Sequence, residues 1–326
     1  MSYSIILIQQ IIIIFIIIFI GVICYKTKLI SDETNSKLSN ILLMLIIPMV
    51  IFVSYQRDFS FDLLGGLLIS LLLALVTHII SIAISYLMLR RKRRKLVIVD
   101  GIPVKQYEDN KDVGVERISS IYANVGFMGI PLVDGLFGSE GVFYITASIT
   151  MFYLLTWTHG VIMISDSESL KLKDILKKLM SPTIIAIILG ILFFVLQIRI
   201  PDIMYDALSY IGNMNTPFAM LIAGVTIGKS NIIQLFTKNL RNYYVIFLRL
   251  LLIPLITLFI YIWLPIDDTV KIVAIIAASL PTATMGTLLA IRYNKNSVLA
   301  AEIFTVATLL SVLTIPFIIK IAEILI

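Results

Sequence analysis

Asn124-Val125-Gly126-Phe127-Met128-Gly129-Ile130-Pro131 and Ser279-Leu280-Pro281-Thr282-Ala283-Thr284-Met285-Gly286 are two stretches where an apolar run is broken by proline, glycine and small polar residues. Each lies inside a segment long enough to cross a bilayer, approximately 117–137 and 269–291. Proline removes a backbone donor and clashes with the preceding turn, and glycine adds backbone freedom. A helix that unwinds at membrane depth frees polar backbone groups, which are tolerated only when buried in protein or facing a wet cavity. The half-helix after such a break points its N-terminus, with unpaired N–H groups and a partial positive charge, into the membrane centre. Such an end attracts a carboxylate without a full cation having to be buried. A plain proline kink or a glycine packing contact is the competing reading of either stretch alone. Two breaks at corresponding places favour the functional one.

The surroundings of these stretches are those of a membrane protein. Of the 326 residues 59% are hydrophobic and only 14% charged, and the mean hydropathy is +1.02. Soluble domains carry about a quarter charged residues, so this chain has too few to cover a water-facing surface. The net charge of +6 then reads as loop anchors on the cytoplasmic side rather than as a nucleic-acid footprint. Cys24 is the only cysteine, and His78 and His159 are the only histidines, which excludes a disulfide framework and a thiol or histidine-rich metal cluster. No cofactor is expected. The first apolar run, Ile5 to Cys24, has no basic residue before it and no small-residue cleavage site after it. It is read as a membrane span rather than a signal peptide.

Apolar runs predict ten spans: 4–24, 39–55, 63–89, 117–137, 141–164, 181–198, 204–227, 242–264, 269–291 and 297–319. With both termini external, the loops after odd-numbered spans face the cytoplasm. They carry 21 of the Lys and Arg residues, among them Arg90 to Lys95, against 4 on the outer side (Arg57, Arg199, Lys271 and Lys320). That split satisfies the positive-inside rule. The basic run Arg90 to Lys95 is read as a topology anchor in preference to an anionic-lipid site, and Gly101 to Val115 as a polar, mobile loop.

The chain also repeats itself. A shift of 169 residues places Gly21 on Gly190 and Pro48 on Pro217, and a shift of 157 places Met128-Gly129 on Met285-Gly286. Both shifts bring span onto span. Each unit then holds five spans, an odd number, so the two copies lie inverted, as in transporters whose site sits near the midplane. The expected organisation is 1–89 for spans one to three, 90–116 for a basic cytoplasmic loop, 117–164 for spans four and five, 165–180 for a linking loop and 181–326 for spans six to ten.

The stretch from Asn124 to Leu132, then Phe137-Gly138 and Trp157-Thr158-His159-Gly160, resembles the auxin efflux carrier family. Ser181-Pro182, Pro217, Arg249 to Pro254 and Leu280-Pro281 follow the same pattern in order. That family includes plant auxin carriers and bacterial permeases for malate and related acids. The resemblance implies spans one, two, six and seven as a scaffold, the rest as a mobile transport domain with spans four and nine crossing at its centre, homodimers, and organic-anion substrates. Val125 stands where the plant members carry a proline, and their long central cytoplasmic loop is missing.

The expected function is secondary transport of a small organic anion such as a carboxylate across the cell membrane. The candidate substrate-binding residues are Asn124, Gly126, Gly129, Pro131, Asn215, Pro281, Thr282 and Thr284, because hydroxyls and amides beside helix breaks hydrogen-bond an anion without burying charge. Intramembrane ionisable residues are costly and default to functional candidates. Glu302 and Arg249 are therefore candidates for ion coupling, Arg249 alternatively as a partner to Glu302 or to a carbonyl. A sodium-coupled bile-acid-type symporter and a channel or receptor are the rival classes. No GxxxxGK[ST], HExxH or GxSxG motif is present, so neither ATP drive nor an enzyme is expected.

Overall fold

Serine, aspartate and asparagine side chains set where several helices begin. A computed structural model describes residues 3–99, 102–165, 180–229 and 240–326. Its helices are α1 (Tyr3–Lys26), α2 (Asp32–Ser54), α3 (Phe61–Met88), α4 (Val113–Ile121), α5 (Val125–Ile164), α6 (Pro182–Val195), α7 (Asp202–Asn213), α8 (Asn215–Gly228), α9 (Arg241–Tyr261), α10 (Asp268–Ser279), α11 (Met285–Arg292) and α12 (Ser297–Leu325). Ser60, Asp267 and Asn296 accept from the backbone N–H three residues on, opening α3, α10 and α12; these N-caps satisfy donors that have no partner within the helix.

Among the described residues six helices are long and apolar enough to cross a membrane: those beginning at Ile5, Asp32, Phe61, Val125, Arg241 and Ser297. α1 alone spans about 36 Å at 1.5 Å per residue. It turns Ile12, Ile16 and Phe19 outward, as a lipid-facing helix would. Of the remaining predicted spans, six is a single shorter helix, α6, and seven and nine are interrupted. Span seven divides at Met214 into α7 and α8, and span nine divides between Ser279 and Met285 into α10 and α11. The continuous helical assignment of α5 conceals a reversal at Gly138, whose φ of +58° and ψ of −147° are open only to glycine. A Cβ on Gly141 would lie 2.6 Å from the carbonyl oxygen of Val133. In a straight helix residues eight apart are about 12 Å distant, so the chain folds back here, between predicted spans four and five.

Three helices widen to a π-turn just ahead of a proline. Ile47 donates to Leu42 before Pro48, Ile130 to Val125 before Pro131, and Ile253 to Leu248 before Pro254. Proline lacks an N–H and its ring crowds the preceding turn, and an i→i−5 turn relieves both without breaking the helix.

The basic stretch departs from expectation. In place of an irregular loop, Lys92–Val99 and Ile102–Asp109 pair antiparallel, Val99 opposite Ile102 and Lys92 opposite Asp109. α4 then starts at Val113, ahead of the predicted 117. The expected linking loop 165–180 lies, save for its ends, outside the described residues.

Packing separates the helices into two sets. α1 lies against α8, and α2 against α6 and α7; α3, α4, α5 and α9 to α12 pack mainly on one another. Within the first set α1 and α8 approach backbone to backbone. A Cβ on Gly224 would fall 2.0 Å from the Ile18 carbonyl oxygen and 2.9 Å from the Gly21 Cα. Gly190 of α6 accommodates the ring of Tyr55 in the same set.

Candidate substrate site at two crossed helix breaks

The two interrupted stretches meet. Pro281 forces Leu280 out of the helical region, to φ −64° and ψ 149°, and the helix resumes only at α11. On the other side Tyr122 is extended at the end of α4. The two short extended segments pair antiparallel through Ala123 and Thr282. The Asn124 N–H donates to the Pro281 carbonyl at 2.8 Å, and the Ala283 N–H to that of Tyr122 at 2.9 Å. Each break thereby supplies the hydrogen bonds that the other lost, which is what unwound backbone in an apolar interior requires. The Thr282 hydroxyl fixes the crossing further by donating to the Ser119 carbonyl at 2.6 Å.

Arg249, on the π-turn of α9 and 1% exposed, closes the ends of both first half-helices. Its Nε donates to the Leu280 carbonyl at 2.8 Å and its Nη2 to that of Ala278. Its Nη1 reaches the carbonyls of Ile121 at 3.1 Å and Ser120 at 3.4 Å. The negative ends of α4 and α10 thus converge on one guanidinium, whose planar fork of donors suits several acceptors at once. Of the alternatives read from sequence, Arg249 is the partner to carbonyls. Glu302 is elsewhere, accepting from Asn242 Nδ2 at 3.0 Å.

The positive ends are left for the cavity. Asn124, Gly126 and Thr284 line it at the starts of α5 and α11, with Phe127, Phe152 and Tyr153 among its apolar walls. Its space for water-sized centres is about 40 Å³, room for a few waters and too little for a dicarboxylate without an opening motion. The side chains of Asn124 and Thr284 make no hydrogen bond to any described residue. A Cβ on Gly126 would meet only Ile47 Cδ1, at 3.6 Å.

Other predicted site residues stand apart. Gly129 is a packing position, where a Cβ would lie 2.8 Å from both Ile145 and Leu280 side chains. Pro131 is buried in the body of α5, and the Pro281 carbonyl and Thr282 hydroxyl are committed to the crossing. Asn215 lines a separate cavity with Asp134 and Tyr205. The sequence reading missed Glu116, whose buried carboxylate pairs with Arg241 and accepts from Asn110 Nδ2 at 2.9 Å. It was also silent on Tyr122, whose hydroxyl lies 2.9 Å from both the Leu155 carbonyl and His159 Nδ1. An acid beside Arg117 at a span end reads as solvated, and only its partner from α9 shows otherwise.

A family described as membrane transport protein matches residues 6–319. The chain belongs to the membrane transport protein family. The resemblance to auxin efflux carriers drawn from its motifs is thus established over nearly the whole length. Two archaeal members are alike throughout. An uncharacterized transporter of Methanothermobacter thermautotrophicus is 26% identical, the match covering 92% of this chain and 93% of that protein. An uncharacterized transporter of Methanocaldococcus jannaschii is 23% identical over 94% and 95%. As a member of this family with several bilayer-length apolar helices, the protein is an integral membrane transport protein.

Proposed function

We propose that the protein is a secondary carrier for a small organic anion, foremost a carboxylate, working by alternating access around the crossed breaks. The observation that carries this reading is the segregation of helix ends at the crossing. The carbonyl ends of α4 and α10 are occupied by Arg249, while the N–H ends of α5 and α11 open on the cavity. Neutralising one pair of ends and leaving the other free favours an anion there, and the described residues that line the cavity include no carboxylate.

The reading includes ten spans in two inverted sets of five. The pairing of the breaks at corresponding positions supports it, as does a proline within both spans two and seven (Pro48 and Pro217). The set of α1, α2, α6, α7 and α8 would be the scaffold, through which two copies pair, and the other set the moving part. Both termini face outward from the cell membrane. Uptake of a labelled dicarboxylate into proteoliposomes, with and without a pH gradient, tests the carrier. Saturable uptake that falls at least tenfold in Asn124→Ala supports the site. Non-saturating flux, or uptake indifferent to Asn124→Ala and Thr284→Ala, refutes it.

A further inference from the structure

We propose a second ligand subsite, away from the crossing, that holds an uncharged group presenting a hydrogen-bond donor beside an acceptor, as a primary carboxamide or an undissociated carboxylic acid does. It lies between α2, the reversal of α5, and the junction of α7 with α8. The cavity there offers about 330 Å³ to water-sized centres, several times the room at the crossing. Asn215 lines it, directly after the break at Met214. The residue is 2% exposed, yet neither Oδ1 nor Nδ2 has a hydrogen-bond partner among the described residues. The hydroxyl of Ser209, another lining residue, is also buried and without a partner among them.

Buried amides without partners are rare in folded proteins, because each unmade bond leaves a desolvated group uncompensated. An amide offers one donor edge and one acceptor edge side by side. The complement that satisfies both is a second amide or a carboxylic acid with its proton. An ionised carboxylate would leave Oδ1 unpaired. It would also face Asp134, the only residue with a formal charge among the described residues lining the cavity. Arg57 stands behind the wall, donating to Ser139 at 2.8 Å and bonded to the Ser54 carbonyl at 3.0 Å. The two amide atoms are sealed from water in this conformation, so a ligand reaches them by a small movement of the α7–α8 junction.

The test is titration of the purified full-length protein in lipid nanodiscs at pH 7.5 with butyramide and, separately, butyrate. The expected result is saturable butyramide binding at least tenfold tighter than butyrate, lost by tenfold or more in Asn215→Leu. That variant removes the amide while keeping the branched heavy-atom outline, and the larger methyl groups face an adjoining cavity, so without ligand its melting temperature should rise. Asp134→Asn, which keeps shape and removes the charge, should narrow the preference for butyramide severalfold without abolishing it, since the Asn215 Oδ1 still lacks a donor from butyrate. Butyrate binding as tightly as butyramide, or Asn215→Leu binding butyramide unchanged, overturns the subsite; so does Asp134→Asn leaving the preference intact. Binding is read here without transport, so failure of dicarboxylate uptake leaves this result standing, and the reverse holds too.

Discussion

Arg249 Nε donates to the carbonyl oxygen of Leu280 at 2.8 Å, joining α9 to the residue that precedes the proline of the second break. The same guanidinium holds carbonyls of the first break. One side chain therefore terminates two helices that approach from different parts of the sequence.

Arg249→Met should destabilise the protein by about 3 kcal/mol or more, because several buried carbonyls lose their donors together. Arg249→Lys should recover only part of this, since an ammonium cannot reproduce the planar fork. Thermal unfolding in detergent, followed by tryptophan fluorescence, measures both; equal midpoints for Arg249→Met and the native protein would contradict the assignment.

Asn124→Ala and Thr282→Val should behave oppositely. The Asn124 side chain bonds no described residue, so its loss should leave the melting temperature within a degree or two and strike transport alone. The Thr282 hydroxyl holds the Ser119 carbonyl, so Thr282→Val should lower stability by about 1 kcal/mol or more. Parallel melting and uptake assays separate the two effects.

Gly224→Ala should loosen α1 from α8, at a cost of about 2 kcal/mol, because the new Cβ meets the Ile18 carbonyl oxygen at 2.0 Å and backbone cannot step aside as a side chain can. Gly65→Ala is the control. Nothing lies within 4 Å of its Cβ position, and replacing a helical glycine should stabilise by about 0.5–1 kcal/mol. Melting midpoints should therefore move in opposite directions.

Glu116→Ala should cost about 3 kcal/mol by removing a buried carboxylate that pairs with Arg241 and accepts from Asn110, and the Glu116→Ala/Arg241→Ala pair should cost less than the sum of the singles. A double-mutant cycle on denaturation midpoints gives the coupling; strict additivity would show that the pair contributes nothing.

The six bilayer-length helices and both breaks were legible because they are written in local chemistry: apolar length, proline, glycine. The fold-back at Gly138 was legible as a gap between two apolar runs. The partners of Arg249, Glu116 and Thr282 were not, since each lies far along the chain and an apolar sequence gives no register between distant helices. The break at Met214 has no proline at the point of interruption and left no mark beyond its asparagines. The strand pair did leave one in the sequence: Asp100-Gly101 between two apolar runs is a two-residue turn signal, which the reading of this stretch as a polar loop did not use.

The widened turns ahead of Pro48 and Pro254 change how α2 and α9 face their neighbours. An extra residue in one turn advances every later side chain by about 100° around the axis. A helical wheel drawn straight through α2 or α9 thus assigns the second half to the wrong side. Residues beyond each proline keep step with one another, but not with those before it. Deleting one residue from such a turn would restore an even pitch and, in doing so, rotate the apolar face of half a helix away from its seat.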